Sequence, residues 1–300
     1  MKELLHILDH VPEFQQLLDA LDAGRSPAAV SGLSPVHRAH FAAGIRRHWD
    51  CPVVMVCADE EEGRRLAADL TAFTGEEVTL LAAREFLFHD SAVASRQWEH
   101  RRLAAFHAMA RGQAPLIVAT VEGLLQRTLS PEELAEHTVT IENGGQYDLD
   151  RLADQLSALG YTRCEQVEGV GQFALRGGIL DVYSPAQDHP VRIEFWDTDV
   201  DSMGLFDVGS QRRVARLDRA VFLPVSEALP TRDENGQWQR TPDRLLPARY
   251  QRLTTAAHHL PAGAVVCFSE SGRVAERAKT WLWQLNEDVK SLMEQELVDG

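Results

Sequence analysis

The sequence offers little that could support metal or disulfide chemistry. Its four cysteines are spread along the chain without a CxxC pair, so neither a zinc site nor a disulfide framework is indicated. Two of them, Cys57 and Cys267, lie inside apolar runs and are interpreted as core residues. None of the twelve histidines forms an HExxH motif, and no GxSxG or cysteine–histidine signature occurs. We therefore expect no catalytic residue, no metal ligand and no cofactor-binding residue.

Long apolar runs are absent as well. No stretch approaches the length of a membrane helix, and the amino terminus, MKELLHILDHVPEFQQLLDAL, reads as an amphipathic helix rather than a signal peptide. From these absences we expect a cytoplasmic protein without a membrane partner. The formal net charge of −15 disfavours unaided binding to DNA, because the phosphate backbone is also negative. Such a charge suits either solubility or a partner with a basic patch.

What the sequence does contain is an alternation of short apolar strands with helices. Such an alternation predicts a parallel sheet with helices on both faces. The predicted buried strands are Ala28–Val30, Val53–Cys57, the run VTLLA, the run APLIVATV and Ala264–Phe268.

A second pattern occupies the middle of the chain. The stretch Gly169–Tyr183, GVGQFALRGGILDVY, has the period of two that is typical of strands, with a bend or bulge expected at Gly177-Gly178. The runs VRIEFW and VDSMGLF read as two further strands, so an antiparallel sheet is predicted. We therefore predict an α/β fold: a discontinuous parallel-sheet domain of residues 1–142 and 214–300, interrupted by a small α+β domain of residues 143–213.

The turn after the first predicted strand, SGLSPVHRAH, is where a phosphate-binding loop would lie. Only Gly32 is present, the Gly-Lys-Ser/Thr end is missing, and Pro35 removes a backbone donor. His37 or Arg38 could supply positive charge but not the cradle of backbone N–H groups. The sequence therefore predicts a degenerate loop that binds no nucleotide.

Two other motifs match a pattern but not its context. The run Gly169–Ala174 fits GxGxxA, yet a strand follows it where a dinucleotide motif requires a helix, so we interpret it as a hairpin turn. The carboxylates Asp197, Asp199 and Asp201 resemble the start of a calcium loop that lacks its glycine and glutamate. We interpret them as solvated groups near a hairpin turn, and contact with a basic partner stays open.

Two arginines in the strand-rich region are candidates for partner binding. Arg163 and Arg176 each lie in a predicted strand flanked by turn glycines. Arginine offers a planar fork for carboxylates and is enriched in interface hot spots. An internal ion pair with Asp181 or Glu194 would explain the same residues, and the sequence pattern leaves both interpretations open.

The strand-rich region also resembles a known family. The run FALRGGILDVYSP, continued by PVRIEFWDTDVDSMGLFDVGSQR, is similar to the second domain of the bacterial transcription-repair coupling factors, a domain that also occurs in the excision-repair protein UvrB. The run from SRQWEH to SPEEL and the helix starting near Glu270 resemble the family's first domain. The resemblance implies a UvrB-like fold without a phosphate loop. The space between Phe86 and Arg96 is too short for the long DNA-gripping hairpin of UvrB.

The resemblance to the amino-terminal region of this family implies a role in recruitment. It implies a surface for UvrA, the damage sensor of nucleotide excision repair, that contains Arg163 and Arg176 with Phe173 and Ile179 beside them. Asp181 matches an acid of the family that is interpreted as structural. The resemblance implies no enzymatic chemistry in this chain.

The resemblance also implies a longer protein. A coupling factor of full length is an ATP-hydrolysing translocase on double-stranded DNA that displaces stalled RNA polymerase, with ATP and magnesium bound in motor domains outside these 300 residues. The resemblance further implies that a carboxyl-terminal domain of that longer protein can mask the UvrA surface until the protein engages. Because the chain ends in or just after a helix, we expect a fragment. Two alternatives stay open: a degenerate helicase domain with residual ATP or DNA binding, and a purely structural scaffold for the motor.

Overall fold

The structure is a computed structural model that describes residues 2–84, 96–242, 246–250 and 254–294. The chain divides into two compact units. Unit 1 comprises Met1–Ala83, Ala108–Gln126 and His259–Gly300, and unit 2 comprises Arg84–His107 and Arg127–His258. These boundaries differ from the predicted ones near residues 142 and 213, and that division into a split domain and an insert stays a prediction.

The described residues form helices and strands in the following order. The α-helices are α1 (Pro12–Asp22), α2 (Pro35–Trp49), α3 (Glu60–Thr74), α4 (Gln97–Ala110), α5 (Val121–Leu125), α6 (Pro131–Glu136), α7 (Leu149–Ala158), α8 (Leu246–Arg249) and α9 (Ser271–Glu294), with 3-10 helices at Lys2–His10 and Ala256–His259. The strands are β1 (Val53–Cys57), β2 (Thr79–Leu81), β3 (Leu116–Thr120), β4 (Arg127–Thr128), β5 (Val139–Glu142), β6 (Thr162–Arg163), β7 (Gln172–Arg176), β8 (Ile179–Val182), β9 (Val191–Trp196), β10 (Asp199–Phe206), β11 (Arg213–Arg216), β12 (Arg219–Phe222), β13 (Thr231–Arg232), β14 (Trp238–Gln239), β15 (Thr254–Thr255) and β16 (Val265–Phe268).

Unit 1 contains a four-stranded parallel sheet in the order β16-β1-β3-β2. Every residue of β1 is buried, and side chains of α1, α2 and α3 pack with it into one hydrophobic core. Asp59 directly precedes α3, and its carboxylate caps the helix by accepting a hydrogen bond from the backbone N–H of Glu62 at 2.8 Å. The predicted α/β character and the strand at Val53–Cys57 are confirmed.

Two strands that were predicted as buried differ in the structure. Residues Ala28–Val30 have no regular secondary structure and are exposed, so the predicted first strand is wrong. Alanine offers too little apolar surface to hold an edge position in a sheet by burial alone. The predicted strand at Ala264–Phe268 does form as β16, but at the sheet edge, where Val266 and Phe268 are exposed. The apolar composition of this strand predicted that it is buried, but two of its side chains are exposed because the strand lies at the edge of the sheet.

Unit 2 contains a six-stranded sheet in the order β11-β10-β9-β8-β7-β6. Its neighbouring strands are antiparallel except for β6 and β7, which are parallel. One face of the sheet packs against α7, whose Leu152 and Leu156 are buried in the same core. The pair β5–β12 adds Ile141 and Phe222 to this core, although both lie outside the predicted insert of residues 143–213. The predicted antiparallel sheet is confirmed.

A buried group of charges in unit 2 connects α4 with the segment that follows β12. Arg102 Nε donates to Glu227 Oε1 at 2.8 Å, and Arg84 Nε lies 3.3 Å from the same oxygen, all three side chains being nearly inaccessible to solvent. Glu99 Oε1 accepts from the backbone N–H of Glu227 at 2.6 Å and from Ser226 Oγ at 3.2 Å. These contacts hold α4 to the segment after β12, a strand whose Phe222 belongs to the core of the six-stranded sheet.

Two further features of the fold concern predictions made from the sequence. Among the described helices, none combines the length and the apolar character that crossing a lipid bilayer requires. The segment between Phe86 and Arg96 was predicted to be too short for a DNA-gripping hairpin. It lies outside the described residues except at its last position.

Candidate partner-binding surface

A tight hairpin connects β7 and β8 of the six-stranded sheet. Arg176 pairs with Ile179, so Gly177 and Gly178 form a two-residue turn, and Gly177 adopts a φ of +59° that glycine tolerates best. A Cβ atom on Gly178 would lie 2.7 Å from the carbonyl oxygen of Phe195. The two glycines therefore make a turn, where the sequence predicted only a bend or bulge, and they permit close approach of the next strand.

The turn at the GxGxxA motif differs from the prediction. A strand does occupy the position where dinucleotide binding needs a helix, as predicted, because β7 begins within the motif at Gln172. However, β6 and β7 pair in parallel, so the connection between them is not a hairpin. Gly171 of the motif has a φ of +85°, a conformation that glycine adopts without the steric cost of a Cβ atom. Its N–H donates a hydrogen bond to the carbonyl of Tyr183 at 2.8 Å.

The strand pairing places several polar side chains on one face of the sheet. Directly paired residues of neighbouring strands point to the same side. One row runs through Arg176, Ile179, Glu194 and Ser202, and the next through Ala174, Asp181, Arg192 and Gly204. We call the side that carries these eight residues the outer face. The opposite side, with Phe173, Leu180 and Ile193, belongs to the core.

A buried carboxylate organises the arginines of the outer face. Asp181, with 1% of its side chain exposed, accepts from Arg176 Nη2 at 2.8 Å and from Arg192 Nε and Nη2 at 2.7 and 2.8 Å. Arg192 also donates to Gln211 Oε1 at 2.8 Å and stacks over the ring of Phe206 at 4.3 Å. Its hydrogen bonds to Asp181 raise the pKa of the Arg192 guanidinium, despite its partial burial. We call the group of Arg176, Asp181 and Arg192 the arginine clasp.

The clasp leaves Arg176 available to a partner while it restricts its motion. The Arg176 side chain is 48% exposed, and its Nη2–H···Oδ2 hydrogen bond to Asp181 uses one of its five N–H donors. A charged fork that is already oriented loses little conformational freedom on binding a carboxylate. Of the two interpretations left open by the sequence, the internal ion pair with Asp181 is therefore observed. It does not exclude the other, because the arginine is still exposed, and partner binding by Arg176 stays a prediction.

A second polar group continues the outer face toward the sheet edge. Ser202 Oγ donates to Glu194 Oε2 at 2.8 Å, while Arg213 Nη2 donates to Ser202 Oγ at 3.1 Å and approaches Glu194 Oε1 at 3.5 Å. These side chains are partly exposed. The group extends the charged surface from the hairpin to β11.

The structure places the four residues predicted for the partner surface in different surroundings. Arg176 and Ile179 lie side by side on the outer face, with Ile179 37% exposed. Arg163 is exposed on the edge strand β6, in register with Phe173. Phe173 is fully buried in the core, so its predicted place on the surface is wrong. It precedes Arg176 by three residues, and in a strand an odd separation puts two side chains on opposite faces.

Three residues of this surface were missed by the sequence analysis. Arg192 and Arg213 make their contacts with this surface only across strands, so no local pattern reveals them. Trp196 is 80% exposed and could have been found, because alternation along VRIEFW places it on the same side as Arg192 and Glu194.

The three aspartates of the predicted calcium-like run surround the β9–β10 turn. Asp197 lies in the turn with a φ of +58°, while Asp199 and Asp201 belong to β10, and all three are exposed as predicted. Asp199 Oδ1 accepts from Gln146 Nε2 at 2.8 Å. They place negative charge directly beside the arginine-bearing outer face.

Unit 1 has a charged cluster at the carboxyl ends of its adjacent strands β1 and β16. Ser269 Oγ donates to Glu62 Oε1 at 2.6 Å and accepts from Arg38 Nη1 at 3.0 Å. Arg273 Nη2 donates to Asp59 Oδ2 at 3.2 Å, and its Nη1 lies 3.7 Å from Glu62 Oε2. Ligands of open α/β sheets bind at this edge, and here carboxylates and arginines pair with one another. We call this group the crevice cluster.

Comparison with known proteins places the arginine clasp within a recognised class of domain. Residues 139–227, which contain the clasp and the six strands of its sheet, match the family model of the UvrB interaction domain. The fold and this match therefore assign residues 139–227 to the class of UvrB interaction domains.

The chain as a whole is similar to the transcription-repair-coupling factors. It is 34% identical over 226 residues to that of Myxococcus xanthus, 30% identical over 286 residues to that of Mycobacterium tuberculosis and 30% identical over 236 residues to that of Escherichia coli. These matches cover 73%, 92% and 75% of this chain, but 19%, 22% and 20% of the relatives. The resemblance predicted from the sequence, to the UvrB-like amino-terminal region of this family, is confirmed, and the chain spans about a fifth of the length of these relatives.

Proposed function

We propose that the outer face recruits UvrA in transcription-coupled nucleotide excision repair. The observation that carries the proposal is the arginine clasp, which presents an oriented, half-exposed Arg176 within a domain of the UvrB interaction class. Arginines held in this way are frequent in interface hot spots. Although the chain has a net charge of −15, these arginines place positive charge on this face, which favours contact with acidic groups of a partner.

The direct test is a binding titration between this chain and purified UvrA. We expect saturable binding, because the clasp needs no rearrangement to meet a carboxylate of the partner. Biolayer interferometry with immobilised UvrA would measure it. If the chain only supported a motor as a structural scaffold, no affinity for UvrA would be found, even with the outer face unobstructed.

We extend the proposal to the longer protein of which these residues are a part. In that protein, motor domains outside this chain would bind ATP and magnesium, move on double-stranded DNA and displace stalled RNA polymerase. A carboxyl-terminal domain would mask the outer face until the motor is engaged. Homology to coupling factors about five times as long supports this extension.

We also propose that unit 1 keeps a degenerate nucleotide-binding fold without nucleotide binding. The crevice cluster supports this proposal, because its Asp59 and Glu62, together with Glu270, which pairs with Arg38 of the cluster, would meet a triphosphate with negative charge. Arg38 and Arg273 are already paired with these carboxylates. The loop before α2 offers Pro35 at the first helical position, where a phosphate loop needs a backbone donor.

Titration with a fluorescent ATP analogue and with a DNA duplex at moderate salt tests this second proposal. We expect no saturable binding of either ligand, because the crevice cluster repels phosphate and the chain is acidic overall. The Arg38→Ala variant is the matched control. Saturable binding by the parent chain that this variant loses would favour the residual helicase alternative instead.

A further inference from the structure

The outer face carries an apolar residue that the clasp does not use. Trp196 is 80% exposed, which makes it the most exposed of the six tryptophans of the chain. It ends β9, directly before the turn into β10. Packing in the hydrophobic core is therefore not the reason for a tryptophan at this position.

The backbone holds Trp196 in a fixed place beside the β7–β8 hairpin. The N–H of Phe195 donates to the carbonyl of Gly178 at 2.7 Å, and Trp196 itself pairs with Asp199 across the β9–β10 turn. The close approach depends on Gly178, because a Cβ atom there would lie 2.7 Å from the Phe195 carbonyl oxygen. The indole is thus carried on a rigid strand end, which is where an anchor residue loses least entropy on binding.

Trp196 continues the apolar and cationic row of the outer face. Ile179 pairs with Glu194, which precedes Trp196 by two residues on the same side of β9. Diagonal neighbours of this kind are about 7–8 Å apart at their backbones, within reach of an aromatic side chain. Arg176 pairs with Ile179 in turn. Trp196, Ile179 and Arg176 therefore lie next to one another, and we call them the anchor patch.

We propose that Trp196 is the apolar anchor of the interface with UvrA, an inference that rests on the proposed function. The indole would enter an apolar cleft of UvrA, and Arg176 would bind a carboxylate at its rim. Tryptophan and arginine dominate hot spots because the first buries a large rigid surface and the second makes charged hydrogen bonds. The position of the patch within residues 139–227, which match the interaction domain, supports UvrA as the occupant.

A second copy of this chain fits the anchor patch poorly. Asp197, Asp199 and Asp201 surround the turn beside Trp196 and are exposed. In a two-fold symmetric contact the same patch faces itself, so the acidic turns of both copies would meet. Like charges brought together at an interface oppose association. A partner that is basic beside its apolar cleft would instead be attracted.

The test compares Trp196→Ala with Trp283→Ala in UvrA binding measured by biolayer interferometry. Trp283 is the matched control, since it is 61% exposed on α9 of unit 1. We expect Trp196→Ala to weaken binding on the order of 10- to 100-fold, mainly through faster dissociation. Trp283→Ala should leave the affinity unchanged, and Trp196→Phe should restore part of it. Because the side chain is exposed, the fold should tolerate all three changes.

The outcomes separate this inference from the proposed function. If the parent chain does not bind UvrA at all, the proposed function fails and the inference fails with it. If the parent chain binds and Trp196→Ala binds equally well, the anchor role is overturned while recruitment stands. Dimerisation of the free chain that Trp196→Ala abolishes, seen by analytical ultracentrifugation, would also overturn it.

Fluorine NMR gives a second readout that does not depend on affinity. In the chain labelled with 5-fluorotryptophan, the Trp196→Phe variant assigns the resonance of Trp196 among the six signals. We expect that resonance to shift or broaden on addition of UvrA, while the Trp283 resonance stays in place. An unchanged Trp196 signal at saturating UvrA would contradict burial of the indole.

Discussion

Replacing Arg176 with glutamate is expected to abolish UvrA binding while the chain stays folded. Arg176 is the exposed member of the arginine clasp, and its replacement removes the cation and sets a carboxylate against the acceptor on UvrA. Loss of one such hot-spot arginine costs about 2–4 kcal/mol, which is roughly a 30- to 1,000-fold rise in Kd. The measurement is a titration with UvrA at several salt concentrations, because the Coulombic share of the loss declines as salt increases.

Two variants control this experiment. Arg176→Gln keeps a polar side chain without charge and should lose less affinity than the charge reversal. Arg151→Glu makes the same change at an exposed position of α7, away from the outer face, and should bind like the parent chain. Circular dichroism would verify folding, since the reversed residue faces the buried Asp181. Equal binding by Arg176→Glu and Arg151→Glu would remove the clasp from the interface.

The second large effect is expected in stability, from replacing Glu227 with glutamine. Glu227 is fully buried, and both Arg102 and Arg84 approach its Oε1 atom. Glutamine has nearly the same shape but removes the negative charge that Arg102 and Arg84 share at this position. Breaking a buried ion pair from one side costs about 3–5 kcal/mol. Urea denaturation followed by far-ultraviolet circular dichroism would measure the fall in the free energy of unfolding.

The effect of Glu227→Gln should depend on pH in a defined direction. Burial alone would raise the pKa of Glu227, but the charges of Arg102 and Arg84 and the hydrogen bond from Arg102 outweigh it and lower the pKa to about 2. The ordinary value is 4.5. A carboxyl group with a depressed pKa in the folded state contributes stability above its unfolded pKa and loses it as the pH falls toward the folded one. The parent chain and the variant should therefore differ most near neutral pH and converge between pH 4.5 and about 2.

A double variant distinguishes an ion pair from simple packing. Arg102→Met combined with Glu227→Leu removes both charges of this pair and should be destabilised less than the sum of the single changes, because the energy of the Arg102–Glu227 interaction is then lost once instead of twice. Additive losses would mean that the two side chains contribute through packing alone. Arg84 loses its contact with Glu227 in both variants that replace Glu227, so this loss cancels when the double variant is compared with Glu227→Leu.

The sequence predicted those parts of the fold that local patterns encode. The run VVMVC followed by acidic residues could only be a buried strand leading into a helix, and it is β1 followed by α3. The alternation in FALRGGILDVY predicted β7 and β8 for the same reason. The run Ala28–Val30 failed because three small residues carry little apolar surface, and partners elsewhere in the chain determine whether a strand forms.

The candidate surface was predictable only where one strand sufficed. Arg176 was found from the sequence, and its pairing with Asp181 was one of the alternatives left open. The contribution of Arg192 to the same carboxylate depends on the register of β8 with β9, which no local pattern fixes. The position of Phe173 could have been predicted correctly from the sequence, because its odd separation from Arg176 puts it on the opposite face of β7. The anchor patch could not be predicted from the sequence, since its three residues lie on three neighbouring strands, β7, β8 and β9.

The outer face is built from arginine, and this has a practical consequence for how it can be studied. The only lysines of the chain are Lys2, Lys279 and Lys290, all outside the matched interaction domain. Amine-directed coupling to a biosensor chip or an amine-reactive dye will therefore attach elsewhere and leave the clasp chemically intact. A dicarbonyl reagent such as phenylglyoxal, which modifies guanidinium groups, becomes the complementary footprinting agent. Arg176 should react faster than Arg192, whose guanidinium is more deeply enclosed by Asp181, Gln211 and Phe206.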